Sequence, residues 1–199
     1  AAEEPSQEST QLNHHHLDAL ITMTKTQKTS FLESIKQMHQ IPSDSAADER
    51  VHYALTVTFT QPRNRKRDDI ELHEVIKKLT DLMSETFIAK RRRTHPRYAN
   101  AFIVSAIIEK KSSYSDAEPY PHVHALLSVK EEFAPKVDAF IGTNTLKQLP
   151  RIDRALPKTI RTSDLQRAID SEKSHSVDKW VLYFLKYHSV DDPVLMFKL

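Results

Sequence analysis

The sequence predicts an α+β fold with a mainly antiparallel central sheet flanked by helices, and three observations predict it. The run "VHYALTVTFT" (Val51–Thr60) alternates with a strict period of two, the mark of a half-buried strand. Two further short apolar runs, "AFIVSAIIE" (Ala101–Glu109) and "HVHALLSV" (His122–Val129), flank the polar loop "SSYSDAEPYP" and read as the two arms of a hairpin. Between the first and second strands, Leu72, Val75, Ile76, Leu79, Leu82 and Met83 recur at helical spacing, so an amphipathic helix connects them. Strands and helices in this order fit an antiparallel sheet covered by helices.

The elements follow in chain order. Residues 1 to about 16 are polar and predict a disordered tail; His14, His15 and His16 at its edge read as an exposed polar turn. Leu17, Leu20, Ile21, then Phe31, Leu32, Ile35 and Met38 show partial helical periodicity. "IPSDSAADE" (Ile41–Glu49) has the composition of a linker. The expected organisation is therefore a tail and helical extension over residues 1–50 and one main domain over 51–199. In that domain the strand from Val51 is followed by a helix from Asp69 to about Lys90, with Asp68 or Asp69 as its cap. The hairpin comes next, then a short helix over Glu131–Ile141. Residues 143–162 are basic and irregular, with room for one strand. Ser163–Ser171 is expected to be helical. Ser176–His188, "SVDKWVLYFLKYH", reads as a closing helix opened by Ser176 and Asp178 and ended by Lys186 and His188.

Composition removes whole classes of function. The 199 residues include no cysteine, so there is no disulfide framework, thiolate zinc site or cysteine nucleophile. They include one glycine, Gly142. P-loops and dinucleotide fingerprints need several glycines for close approach of backbone to phosphate, so neither is present. No apolar run is long enough to span a bilayer, and "AAEEPSQEST" is no signal peptide; no membrane partner and a cytoplasmic location are expected. The net charge is only +2, but the cations cluster. "RNRKR" (Arg63, Arg65, Lys66, Arg67), "KRRRTHPR" with Arg91, Arg92 and Arg93, and the series Lys147, Arg151, Arg154, Lys158, Arg161 form positive blocks. Each suits either a solvated loop or a polyanion such as nucleic acid.

Residues two apart on a strand share a face, so His122 and His124 point the same way. Val123, Ala125, Leu127 and Val129 fill the other face. If the hairpin pairs, Glu109 at the end of the preceding strand comes beside them. Two imidazoles and a carboxylate make a plausible set for a divalent metal, although a His-x-His pair alone is more often a polar strand end, and the metal reading needs a second feature. A second feature lies in the last helix. Tyr183 and Tyr187 are four apart and share a helical face, with Lys186 near both. Trp180, Tyr183, Phe184 and Tyr187 also form a stripe that could simply dock on the sheet.

"LTVTFTQ", then "PHVHALL", then "YFLKY" occur in this order. The combination resembles the HUH endonucleases, specifically the rolling-circle replication initiators, over about residues 51–190. The glycine-rich surroundings of the histidine motif in that family are absent. The resemblance implies a ferredoxin- or RRM-like sandwich and a divalent ion, Mn²⁺ or Mg²⁺, on His122, His124 and Glu109. It implies Tyr183, in the Tyr-x-x-Lys pattern, as nucleophile. Tyr187 is then a second nucleophile or a packing residue, and Lys186 an aid to the phosphate or phenolate. The implied activity is nicking and rejoining of single-stranded or hairpin origin DNA through a 5′-phosphotyrosine link, starting and ending rolling-circle replication of a plasmid or phage with a host helicase as a possible partner. Arg63, Arg65, Lys66, Arg67, Arg91, Arg92 and Arg93 are the expected DNA contacts. An HUH-type transposase, a non-catalytic nucleic-acid-binding sheet and a water-using metal phosphoesterase remain the competing readings.

Overall fold

Six strands form one antiparallel sheet, in the order β4-β5-β1-β3-β2-β6. The computed structural model describes residues 23–40, 50–59, 68–109, 122–148, 160–168, 176–186 and 194–198. The strands are β1 (Arg50–Phe59), β2 (Phe102–Glu109), β3 (His122–Lys130), β4 (Gly142–Thr143), β5 (Ile160–Arg167) and β6 (Leu195–Lys198). The α-helices are α1 (Lys25–Met38), α2 (Asp68–Phe87), α3 (Lys90–Arg93), α4 (Ala134–Asp138) and α5 (Val177–Phe184). The α+β architecture expected from the sequence is the one observed.

The alternation of β1 sorts its side chains between two layers. Val51, Tyr53, Leu55, Val57 and Phe59 join Val104, Ala106, Val123, Ala125 and Leu127 under α2, which contributes Ile76, Leu79, Met83 and Phe87. Across β1, β2 and β3 this outer face is apolar. The inner face takes α1 and α5: Leu32 and Ile35 of α1 cluster with Val177 and Val181 of α5, with Leu185, and with Ile107 and Leu126 of the sheet. Both short helices begin at side-chain caps. Thr24 and Gln27 form a reciprocal capping box for α1. Ser176 Oγ accepts from the Lys179 N–H at the start of α5. Thus the helix that precedes the 41–49 segment shares a core with the sheet.

Three local expectations differ from the structure. Ser163–Ser171 was expected to be helical, but Ile160–Arg167 is a strand. Ser163 and Leu165 are buried while Asp164 and Gln166 are less so. That period-two pattern matches pairing with β1, and tertiary pairing overrides the weak local signal. The closing helix stops at Phe184 rather than His188: the Leu185 N–H turns back to Tyr183 and Val181 carbonyls, and Leu185 is sealed in the inner core. The Glu131–Ile141 helix is a 3₁₀ turn (Glu131–Phe133) running into α4. Gly142 has φ +120, a conformation that favours glycine, and it opens β4.

Candidate metal centre and tyrosine helix

The β2–β3 hairpin places Glu109 opposite His122, and β1 places Thr58 and Thr56 opposite His122 and His124. All five residues lie on the inner face, at the end of the sheet where β1 and β2 finish and β3 begins. Glu109 Oε2 is 3.0 Å from His122 Nε2 and 3.0 Å from His124 Nε2. His124 is nearly sealed, with its side chain 5% exposed, against 16% for Glu109 and 22% for His122. Burial, and then the neighbouring His122, push the His124 pKa below the usual histidine value, with Glu109 pulling the other way. A carboxylate accepts, so each imidazole turns an Nε2–H toward Glu109. The Nδ1 of His124 then faces Thr56 Oγ1 at 3.1 Å and accepts its hydroxyl proton.

The residues fit a divalent cation. One ligand atom from each of Glu109, His122 and His124 lies within 4.8 Å of the others. Two imidazole nitrogens and one carboxylate oxygen would fill three positions of a cation and leave others open. Sequence reasoning placed these three residues together through strand periodicity and hairpin pairing.

The α5 helix is anchored beside this group. Trp180 donates its indole N–H to the Ala125 carbonyl at 2.9 Å, the residue next to His124. Its ring stands edge-on to His124, with centroids 5.5 Å apart, and stacks on Tyr183 at 16°. Tyr183 itself stands edge-on to His124, with centroids 5.3 Å apart, yet is 55% exposed. The structure thus brings Tyr183 to the histidine group on a pinned helix. Lys186 lies just past the helix end; its N–H donates to the Tyr183 carbonyl at 3.1 Å, and its own carbonyl accepts from Lys28 of α1 at 3.4 Å.

The arginine block of α3 lies elsewhere. The Arg92 guanidinium sits over the rings of Tyr98 and Phe133, 5.6 and 5.7 Å from their centroids, and 3.5 Å from Glu132. Phe133 follows the Lys130 end of β3, whereas His122 opens the strand. Those ends are roughly 27 Å apart at about 3.4 Å per residue. Arg91 and Arg93 share this short helix with Arg92. Arg63, Arg65, Lys66, Arg67 and Tyr187 lie outside the described residues.

Sequence reading missed a second polar cluster on the inner face. His39, just after α1, places Nδ1 2.5 Å from Ser128 Oγ and Nε2 2.7 Å from Ser105 Oγ. His52 Nδ1 is 2.6 Å from the same Ser128 hydroxyl. All four residues are buried. Their one advance signal was face parity: Ser105, Ser128 and His52 fall on the histidine face of their strands.

The chain matches no protein-family model, no curated protein and no solved structure at a significant level.

Proposed function

We propose that the protein is a metal-dependent DNA-nicking and -rejoining enzyme of the rolling-circle initiator type, with Tyr183 as nucleophile. The observation that carries the reading is the placement of Tyr183, exposed, against His124 of a two-histidine, one-carboxylate group. Each of the two features is common alone; a tyrosine held beside such a group has a specific use.

His122, His124 and Glu109 would hold the cation, Mn²⁺ or Mg²⁺. When bound, it supplies Lewis acidity toward a scissile phosphate. The neutral His124 ring offers a lone pair, and Thr56 orients that ring through its other nitrogen. Trp180 fixes the approach of α5, so Tyr183 meets the site with little freedom left to lose. The Tyr183 oxygen attacks phosphorus as its proton leaves to solvent. The P–O3′ bond breaks and the departing 3′ oxygen takes a proton. The product is a 5′-phosphotyrosine and a free 3′ hydroxyl. Attack by a 3′ hydroxyl on that phosphotyrosine reverses the sequence, so rejoining needs no nucleotide triphosphate. Lys186, just past the end of the same helix, would assist at the substrate phosphate. Single-stranded or hairpin DNA, whose phosphates can enter a site at the sheet end, is the proposed substrate.

One observation favours a second reading. The stacked Trp180–Tyr183 pair exposes an aromatic surface, which suits base stacking in a non-catalytic single-strand binder. Labelled hairpin-containing single-stranded DNA incubated with Mn²⁺ or chelator, then run on a denaturing gel, separates the two. A covalent protein–DNA band that needs Mn²⁺ and disappears in Tyr183→Phe is the expected result, with Tyr187→Phe and the double variant alongside. Cleavage that survives both tyrosine changes would instead mean hydrolysis by water. Metal-independent binding without cleavage, weakened by Tyr183→Ala but not Tyr183→Phe, would mean the stacking module.

A further inference from the structure

Asp164 of β5 belongs to the same cross-strand row as His124. The register pairs Asp164 with Thr56, and Thr56 with His124. Directly opposed residues project from one face, so all three point to the inner layer. One oxygen of Asp164 is tied: Oδ2 accepts from Gln166 Nε2 at 3.0 Å. The other, Oδ1, is shielded from solvent and has no hydrogen-bond partner among the described residues. A buried acceptor left unpaired is costly, and more so when charged, so the idle oxygen calls for an explanation.

Ligation at the neighbouring histidine provides one. Without a cation, Nε2–H of His124 serves Glu109 and the Thr56 hydroxyl donates to Nδ1. An Nε2 that gives its lone pair to a cation cannot carry a proton. The neutral ring then holds its proton on Nδ1, and Nδ1–H donates to Thr56 Oγ1. The Thr56 hydroxyl proton must turn to another acceptor. Its cross-strand neighbour on the side away from His124 is Asp164, with Cβ atoms about 5 Å apart in such pairs.

We propose that Asp164 is a positioning residue for the metal centre: its free oxygen accepts the Thr56 hydroxyl, and Thr56 in turn holds His124 with Nε2 toward the cation. The inference rests on the metal-centre reading above. The proton count balances. The ring is neutral in both states, the proton lost at Nε2 is matched by one gained at Nδ1 through exchange with water, and the hydroxyl only rotates. Gln166 keeps the carboxylate in place in both states. Outer groups that orient a ligating histidine in this way typically change metal affinity by about 10–100-fold.

The test is calorimetric titration of Mn²⁺ alone into the full chain, beside thermal melts of the metal-free proteins. Asp164→Ala and Thr56→Val should each bind Mn²⁺ about 10–100-fold more weakly. Asp164→Asn, which keeps an acceptor oxygen, and Thr56→Ser, which keeps the hydroxyl, should recover most of the loss. Metal-free melting of Asp164→Ala should change by no more than the loss of the exposed Gln166 hydrogen bond accounts for, because the idle oxygen makes no bond in that state. Unchanged Mn²⁺ affinity in Asp164→Ala, or an Asp164→Asn as weak as Asp164→Ala, would overturn the relay and leave the metal centre standing. Failure of wild type to bind Mn²⁺ would overturn both.

Discussion

His122 and His124 lie at one end of the inner face of the sheet, and His39 and His52 toward the other. Both clusters are built from two imidazoles facing a shared polar group on paired strands. At the first end the shared group is the Glu109 carboxylate. At the second it is the Ser128 hydroxyl, with Ser105 behind it. A hydroxyl both donates and accepts, so the second cluster closes on itself: Ser128 can give a proton to one ring and receive one from the other. A carboxylate only accepts, and it draws two Nε2 atoms to one oxygen at the rim of the sheet. The difference teaches that paired histidines declare their role through their partner. Hydroxyls under a helix make a lock, and a carboxylate at the open end of the sheet makes a group that could hold a metal.

The sharpest way to break this comparison is to exchange the losses. His122→Ala with His124→Ala should reduce Mn²⁺ affinity more than about 100-fold, since two of three ligands go, and should remove the covalent adduct. It should also lower metal-free stability by about 1–3 kcal/mol, because the Glu109 carboxylate loses both Nε2–H donors. His39→Ala should leave the metal site alone. It strands the Ser105 hydroxyl in the core, leaves Ser128 with His52 alone, and opens a cavity at the end of α1, for a loss of about 3 kcal/mol, with Mn²⁺ affinity unchanged. Calorimetry and urea titration of both variants decide it. A His39→Ala protein that loses Mn²⁺ binding while still folded would show the clusters to be coupled.

How far the sequence foretold each cluster follows from what sets its geometry. The ligand cluster rests on two strands joined by one hairpin, where period-two parity and nearest-neighbour pairing suffice to align Glu109, His122 and His124. Thr56 was visible as a residue on the polar face of β1, but its partner needed the β1–β3 register. The lock draws His39 from a helix end, His52 from β1, Ser105 from β2 and Ser128 from β3. Only the docking of α1 joins these four, and docking leaves no local pattern. The same holds for β5 and β6: Ile160–Arg167 and Leu195–Lys198 are strands because β1 and β2 present free edges to them, and their own sequences carry weak alternation. Tyr183 fell on a strongly amphipathic helix, so its face was legible, whereas the early stop at Phe184 depended on burying Leu185 against α1.

Acid sharpens the comparison from another side. Burial, followed by the nearby charges of His52, Arg50 and Lys198, lowers the His39 pKa to about 3. The unfolded value is about 6.5. Between these values the unfolded chain binds a proton that the folded chain refuses, so stability is full above about pH 6.5 and falls as pH drops toward 3. At pH 5 the loss from this residue is about 2 kcal/mol. His39→Gln keeps hydrogen-bonding capacity without titrating. Urea titrations at pH 7 and pH 5 should therefore show wild type losing about 2 kcal/mol more than His39→Gln over this interval. Equal losses would mean that His39 already accepts a proton in place, and that the lock is looser than its hydrogen bonds imply.

The smallest effect is expected where the two regions touch through charge. Lys36 of α1 reaches Asp178 of α5 at 3.5 Å, with side chains 19% and 52% exposed. An ion pair this open to water is worth about 0–1 kcal/mol and weakens with salt. The apolar contact beneath it, Leu32 and Ile35 against Val181 and Leu185, is sealed, and a single large-to-small change there costs about 2–5 kcal/mol. Lys36→Ala should accordingly lower stability by less than about 1 kcal/mol and leave the Tyr183 adduct intact, while Ile35→Ala should weaken both. If Lys36→Ala instead abolished the adduct without unfolding the chain, α1 would hold the tyrosine helix by charge rather than by packing, and raising the salt concentration should reproduce the defect in wild type.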